Sequence, residues 1–513
     1  MSLPLPLRPE RAAFSGTTSL WMHDVVMPRL TPISGTVRAD VCIVGAGIAG
    51  VSVAYELGRA GASVVVVDAR GVGAGETSRT SAHLANVLDT RYAHLESLHG
   101  AERTRLVAGS HARAIDEIEA IAARERIACE LHRVDGYLFA RPQDDPEILE
   151  EERAAAVRAG LDDVTWVERA PLLPFDTRRC LRFPRQAIFH PTRYLAGLAQ
   201  AVAARGTRLL AGHVTNVHGG TACVEVAGGH VVHAKDVVVA TATPINDRVT
   251  MHTKQAPYRT YVIAAPIPIG TVTPGLYWDT DDPYHYVRLE PHDDARDLLI
   301  VGGEDHHTGQ GDPGRAPFER LEGWAHARFA ALGPVMHRWS GQIFSSIDGL
   351  GFIGRNPGDD AHVFIVTGDT GNGLTNGTIA GLLIADLIQG RPNPLADVYD
   401  PARITPRAAW TFAKESLHVA AGYARWLAPA RSQAHADLAP GYGAVFQRGL
   451  RKIAVYRDEN GRLHERSAVC PHLGGVVVWN AVEKSFDCPC HGSRFDGHGC
   501  VLNGPATTGL EPV

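Results

Sequence analysis

Residues 40–50 read DVCIVGAGIAG and run on through VSVAYELGRAG (51–61) to ASVVVVDAR (62–70). The two outer segments are continuous apolar runs, the pattern of strands in a parallel sheet buried on both faces. The segment between them has helical periodicity. At the first turn, Gly45-Ala46-Gly47-Ile48-Ala49-Gly50 matches G-x-G-x-x-G. Alone that hexapeptide is weak, because 53 of the 513 residues are glycine. Its position between a buried strand and a helix, with Asp68 ending the second strand, makes it a dinucleotide fingerprint. Gly45 allows the tight turn, Gly47 lets backbone approach a pyrophosphate, and Gly50 lets helix and strand pack closely. The helix N-terminus offers free N–H groups to phosphates, and Asp68 can accept hydrogen bonds from a ribose. A glycine-rich turn without ligand is the bland alternative, and it leaves this whole arrangement unexplained.

Outward from this unit, residues 1–39 read as an extended lead-in, and 71–81 as a Gly/Ser/Thr-rich loop. Residues 101–130 are helical. HPTRYLAGLAQAVAARG (190–206) is a helix opened by His-Pro and closed by Gly206. VVVAT (237–241) and VFIVTG (363–368) read as buried strands. Residues 255–305 suggest an antiparallel sheet. GNGLTNGTIAGLLIADLIQG (371–390) is another glycine-opened helix, 403–428 a helical connector, and from Pro440 onward a small all-β domain. No second nucleotide fingerprint is found, which argues against a pyridine-nucleotide reductase. VFIVTGDTGNGLTNG (363–377) sends a strand through a glycine-rich turn into a helix whose N-terminus can face the flavin edge that gains negative charge on reduction. VVVATATP (237–244) reads as a strand and turn beside the same cofactor. Together these favour FAD over NAD.

GAGIAG with Asp68, SRTSAHLA (78–85), HPTRY (190–194), SSIDGLGFIGRNPG (345–358) and TGDTGNGLTNGTIAG (367–381) resemble the sarcosine oxidase and D-amino-acid oxidase superfamily. The resemblance implies an α/β FAD-binding domain, Rossmann-like of the glutathione-reductase type, built from discontinuous segments. It also implies an α+β substrate domain whose antiparallel sheet covers the flavin. The FAD contacts then fall at Gly45, Gly47, Ile48, Gly50, Asp68, Ala69, Arg70, Thr77, Ser78, Thr80, Ser81, Val214, Thr241, Gly368, Gly371, Gly373, Leu374 and Thr375. Members oxidise a C–N bond of an amine or amino acid by hydride transfer to flavin N5. Aromatic hydroxylases carry Gly-Asp-Ala before the last flavin helix, and Gly368-Asp369-Thr370 does not complete that motif.

Near the C-terminus, Cys470-Pro471-His472 is followed after residues 473–487 by Cys488-Pro489-Cys490-His491. In C-x-H…C-x-x-H, two thiolates hold one iron of a [2Fe–2S] cluster and two imidazoles the other. Neutral nitrogen donors make such a cluster easier to reduce, with a potential of about −150 to +300 mV. Zinc is the alternative for this donor set. CPHLGG (470–475), CPCHGSRFD (488–496) and NGPA (503–506) decide against it, because they resemble the two cluster loops and the proline loop of the all-β Rieske domain. Many Rieske proteins have a cysteine where Gly475 stands, disulfide-linked to the equivalent of Cys490. Here Cys490 is expected to be a free thiol, with Cys500 a second conceivable partner. The chain from Leu20-Trp21 onward resembles bacterial FAD-dependent oxidoreductases with a C-terminal Rieske domain.

The expected organisation is an oxidoreductase module over 36–402, with FAD-binding segments 36–100, 190–250 and 341–402 and substrate-domain segments 101–189 and 251–340. A helical connector (403–430) and the Rieske domain (431–513) follow. His83, Tyr286 and Arg288 are the catalytic candidates. Tyr284, Tyr286 and Arg288 alternate along a strand and so share a face, where Arg288 could grip a carboxylate. Lys254 is a further candidate beside the flavin, and Glu304, His306 and His307 a conceivable metal set, though loop hydrogen bonding is the plainer reading.

Composition narrows the function classes. The chain is 45% hydrophobic and 21% charged, ordinary for a globular protein of two to four domains at roughly 100–200 residues each. Its formal net charge of −6 gives no footprint for nucleic acid. No transmembrane run or signal peptide is read, and a cytoplasmic location is expected. Eight cysteines, four of them within the last fifty residues, read as scattered thiols plus a metal site. The expected function is a dehydrogenase: an amine or amino acid reduces FAD, and electrons leave singly through the cluster to an acceptor protein such as a ferredoxin. The alternatives are an electron-transfer component for a partner oxygenase and a redox-sensing flavo-iron–sulfur protein.

Overall fold

The computed structural model describes residues 16–513 apart from 142–143, 145–146, 173, 220–222, 247–248, 311–313 and 428–437. The fingerprint strand Val41–Val44 lies at the centre of a seven-stranded sheet. It pairs in parallel with Val64–Asp68 on one side and Asp236–Val239 on the other. Arg208–Ala211 and Val363–Thr367 extend the sheet in parallel, and Phe352–Arg355 closes it antiparallel. Helix Ile48–Arg59 packs on this sheet between helices Pro191–Ala204 and Gly373–Ile388. A small four-stranded sheet covers the opposite face, burying Cys42, Val44, Val65 and Val67. Each fully buried valine contributes roughly 1.5–3 kcal/mol, so runs such as VVVV are held from both sides.

The second layer is a nine-stranded sheet. It is antiparallel except where Leu276–Asp279 runs parallel to His132–Phe139. The long strands Gln255–Pro268 and Arg296–His307 lie side by side near one edge, next to His337–Ser346. His83–Leu84 and the whole of His337–Ser346 also belong to it, so the sheet reaches across the borders drawn at residues 100 and 340. The lead-in is extended but not featureless. Thr31–Pro32 and Thr36–Arg38 each add an edge strand, and Trp21 is fully buried.

The helix Ala409–Ala424 follows the second layer, and the C-terminal domain is two small antiparallel sheets, Tyr442 to Ser467 and Val478 to Asn503. This domain is docked on the rest. Glu483 lies buried 3.4 Å from both Arg79 and Arg259 and 3.6 Å from Arg494. It also accepts hydrogen bonds from Thr17 and Ser340. Burial pushes the Glu483 carboxyl up, but the three guanidinium groups outweigh it and hold it down at about 2. A buried charge cluster of this kind fixes relative position more than it adds net stability. No helix among the described residues is long and apolar enough to cross a membrane.

Candidate functional site: a flavin cavity walled by the cluster domain

The fingerprint turn is shaped by what would collide there. Gly45 has φ +109°, and a Cβ on it would lie 2.4 Å from the Ala240 carbonyl oxygen. A Cβ on Gly50 would lie 2.0 Å from the Gly45 oxygen. The turn opens helix Ile48–Arg59, whose first N–H is held by Thr77 Oγ1 at 3.1 Å. Asp68 braces the turn: its Oδ2 accepts from Ala46 N, and its Oδ1 from Arg70 N and Gly71 N, at 2.8–2.9 Å.

A large cavity runs from this turn to the nine-stranded sheet. Of the expected flavin contacts, Gly45, Gly47, Ile48, Asp68, Ala69, Arg70, Thr77, Thr80, Ser81, Val214, Thr241, Gly371, Gly373 and Leu374 line it. Gly50, Ser78, Gly368 and Thr375 are not among its lining residues. Gly50 is spent on helix–strand contact. Ser78 donates to Gly75 O, and Gly368 packs on Phe352. Thr375 meets Asn372 O and His111.

Two of the three catalytic candidates face the cavity. His83 Nδ1 lies 3.0 Å from Ser81 Oγ, and burial, followed by the Arg288 charge, pushes its pKa down to about 3. Tyr286 lies edge-on to His83 at 5.3 Å and its hydroxyl is 2.9 Å from Thr260 Oγ1. The expectation for Arg288 is corrected. Its guanidinium donates to the carbonyls of Ala82 (2.8 Å) and Phe189 (3.3 Å), pairs with Glu290 and lies 5.3 Å from the Trp21 ring. It is thus engaged within the protein and is not among the residues lining the cavity. It holds the backbone of Ala82, which has φ +62°, and so positions His83. Lys254 likewise turns away, donating to Pro401 O and Arg403 O. Glu304, His306 and His307 do not converge: Glu304 pairs with Arg320, His306 stacks on Tyr261 and His307 on His418.

Sequence reading missed three carboxyl groups in the wall: Asp89, Asp305 and Asp369. Burial pushes Asp305 and Asp369 up to about 7 and Asp89 up to about 6. It also missed that residues 501–504, 506 and 507 of the C-terminal domain line the same cavity. Asn503 Nδ2 donates to Glu76 Oε1 (2.6 Å) and Gln342 Oε1 (3.2 Å). Gln342 Nε2, in turn, donates 2.9 Å to Gly492 O, beside the expected ligand His491.

The four expected cluster ligands come together. Cys470 and Cys488 sit on two matching turns, closed by Cys470 N to Gly475 O and Cys488 N to Ser493 O, each 2.8 Å. The two thiols are within hydrogen-bonding reach of each other. His472 and His491 stand 5.1 Å apart, centroid to centroid, at 88°. Two sulfurs and two imidazoles on facing loops suit a [2Fe–2S] cluster with one all-sulfur and one all-nitrogen iron end. All described cysteines are free. Cys490 is a buried thiol, and a Cβ on Gly475 would lie 2.7 Å from its sulfur. His252, from the flavin module, packs against both ligand rings, 4.7 Å from His472 and 5.7 Å from His491.

A nucleotide cradle under an antiparallel substrate sheet, joined to a four-ligand cluster domain, defines a flavin-dependent oxidoreductase carrying a Rieske centre. The chain belongs to the FAD dependent oxidoreductase family, whose model matches residues 40–387, and residues 430–513 match the Rieske [2Fe-2S] domain. It is similar over nearly its whole length to the putative Rieske 2Fe-2S iron-sulfur protein YhfW of Bacillus subtilis, with 27% identity over 96% of this chain and 97% of that one. Among solved structures, glycine oxidase from Geobacillus kaustophilus covers 72% of this chain and is itself covered completely, at 19% identity and a TM-score of 0.59. L-proline dehydrogenase from P. horikoshii matches at 18% identity over 72% of this chain and 98% of its own, with a TM-score of 0.59. These likenesses concern the fold. FAD and a Rieske [2Fe–2S] cluster are its cofactors.

Proposed function

We propose that the protein is a dehydrogenase that oxidises the C–N bond of an amine or amino acid and releases the electrons singly, through the cluster, to an external acceptor protein such as a ferredoxin. The carrying observation is that the cluster domain builds part of the flavin cavity wall and turns both histidine ligands toward the flavin module. FAD, when bound, supplies a two-electron hydride acceptor, and the cluster a one-electron outlet. The substrate C–H bond breaks, its hydrogen leaves as hydride, and the nitrogen lone pair forms C=N. Water then adds to give a carbonyl compound and an amine.

The chain's own residues supply the rest. The fingerprint turn and the helix start at Ile48 would hold the pyrophosphate. Helix Gly373–Ile388 points its N-terminus into the cavity and favours negative charge there. His83, neutral at working pH, Tyr286 and Trp278 bound the space for substrate. Arg288 and Gln342 position, the first through Ala82 and the second by bridging the cavity wall to Gly492.

The test is anaerobic absorbance and EPR spectroscopy of the holoenzyme with amines and amino acids added singly. Bleaching of the flavin band followed by reduction of the cluster is expected. Reduction by NAD(P)H or a partner protein alone would overturn the reading and leave an electron-transfer component.

A further inference from the structure

The substrate end of the cavity is acidic and aromatic, and a regular strand would not make it so. In the pairing of Gln255–Pro268 with Arg296–His307, Arg259 faces His306 but Tyr261 faces Gly303. Thr260 therefore stands against two residues, Glu304 and Asp305, and Glu304 takes φ +59°. Such a bulge re-aims side chains. Glu304 goes to Arg320, whereas Asp305 lines the cavity. Gly302 leaves room below Tyr286, whose ring atoms would lie 2.1 Å from a Cβ there.

Around Asp305 stand Tyr286, Tyr284, His83 and Trp278, with successive ring centroids 5.3–6.0 Å apart. Tyr284 donates to Asp89 Oδ2 at 2.9 Å. Asp89 and Asp369 both crowd the Gly371 turn. Asp305 Oδ1, Asp369 Oδ1 and His83 Nε2 are buried and have no hydrogen-bond partner. Three carboxyl groups and three aromatic rings thus face one space with donor-seeking oxygens left open. The cations in the wall are committed elsewhere. Arg79 is bound to Ser340 O, Thr17 and Glu483, and Arg70 lies at the nucleotide end between Asp68 and Glu76. Among the described lining residues no other lysine or arginine occurs.

We propose that this pocket takes a cationic amine that carries no carboxylate, held by Asp305 and Asp89 and enclosed by Tyr284, Tyr286 and Trp278. The inference rests on the C–N oxidation reading and narrows it. Ammonium groups bind well to aromatic faces and to buried carboxylates. An amino acid would bring a further carboxylate against Asp89, Asp305 and Asp369, whose ionised forms repel it, whereas an ammonium favours the ionised forms that bind it. A bound ammonium must release one proton before its lone pair can form C=N, and the Asp305 carboxylate can take it.

The experiment has two arms, both on the holoenzyme. In the first, decarboxylated and parent compounds are compared as flavin reductants: putrescine with ornithine, phenethylamine with phenylalanine, and dimethylamine with sarcosine. The amines are expected to be favoured in kcat/KM by about tenfold or more. Asp305→Asn should remove most of that preference, mainly through KM, and Asp89→Asn should weaken it. In the second arm, trimethylphenylammonium, which cannot be oxidised this way, is titrated against benzoate while the flavin spectrum is followed. Binding of the cation, weakened about tenfold by Asp305→Asn, is expected. Faster reduction by the amino acids, or binding of benzoate in place of the cation, would overturn the proposal. Cation binding without reduction by any amine would uphold the pocket's selectivity and overturn the C–N oxidation reading.

Discussion

Glu483 shows how much can depend on one side chain. It faces Arg79, Arg259 and Arg494 where the cluster domain meets both layers of the flavin module. Glu483→Gln leaves three buried guanidinium groups crowded and should cost about 3–5 kcal/mol, read as a fall in Tm by calorimetry. The carboxyl sits near 2 in the folded protein against its ordinary 4.5, so its contribution is complete above about pH 4.5 and fades as pH falls toward 2. His83 acts in the same direction. It is neutral when folded, with a pKa of about 3, and the unfolded chain takes up a proton below its ordinary 6.5. The contribution of His83 therefore fades as pH falls below about 6.5 and that of Glu483 below about 4.5, while Asp305 and Asp369, held up near 7, act the other way. In a Tm-versus-pH series the wild type should lose Tm relative to His83→Asn as the pH falls from 6.5 toward 3. Arg288→Gln should lower Tm and loosen the His83 turn, and it should leave the discrimination between amine and amino acid in place. A carboxylate-gripping arginine would give the opposite result. Strand alternation made the face of Arg288 legible in the sequence. It could not tell that Glu290 and two carbonyls would claim the tip.

At the scale of elements, the helix Ala409–Ala424 does more than connect. Just beyond it, Trp426 Nε1 donates to Gly474 O at 3.0 Å, and Tyr423 OH donates to Leu473 O at 2.8 Å, both on the first cluster loop. Gly422 presses on the second loop, where a Cβ would lie 2.9 Å from Cys490 Sγ. The helix thus clips together two loops that many Rieske domains join by a disulfide, and Gly475 leaves space for the Cys490 sulfur. Gly422→Val, or Trp426→Phe with Tyr423→Phe, should make the cluster absorbance decay faster in the presence of a chelator, with flavin content unchanged. The helix itself was legible in residues 403–428, but its grip on the loops was not, because nothing local records what a helix touches. The fingerprint turn and the cluster loops were legible for the opposite reason. Their glycines and ligands recur at short fixed spacings, G-x-G-x-x-G and C-x-H…C-x-x-H, whichever distant residues they meet. The bulge at Glu304–Asp305 depends on a register set by a strand some forty residues away, and Gly302-Gly303 was its only trace in the sequence.

At the scale of the molecule, flavin site and cluster are parts of one body. Residues 501–507 close the cavity, His252 meets both ligand rings, and Gln342 ties the two together. In the proposed relay, electron transfer from flavin to cluster would be intramolecular. In stopped-flow experiments the rate constant for cluster reduction after flavin reduction should not change with protein concentration, whereas reoxidation by the acceptor should scale with acceptor concentration. Domain order and class could be read from the chain. Docking could not, since Glu483, Asn503 and Thr507 look like ordinary residues of a small β domain until their partners are known.

Because Val501 to Gly504, Ala506 and Thr507 form part of the cavity wall, the C-terminal domain is also a retaining wall for whatever the cavity holds. Loosening its docking, as Glu483→Gln should, is expected to speed release of FAD from the holoenzyme, read as flavin fluorescence gained after dilution.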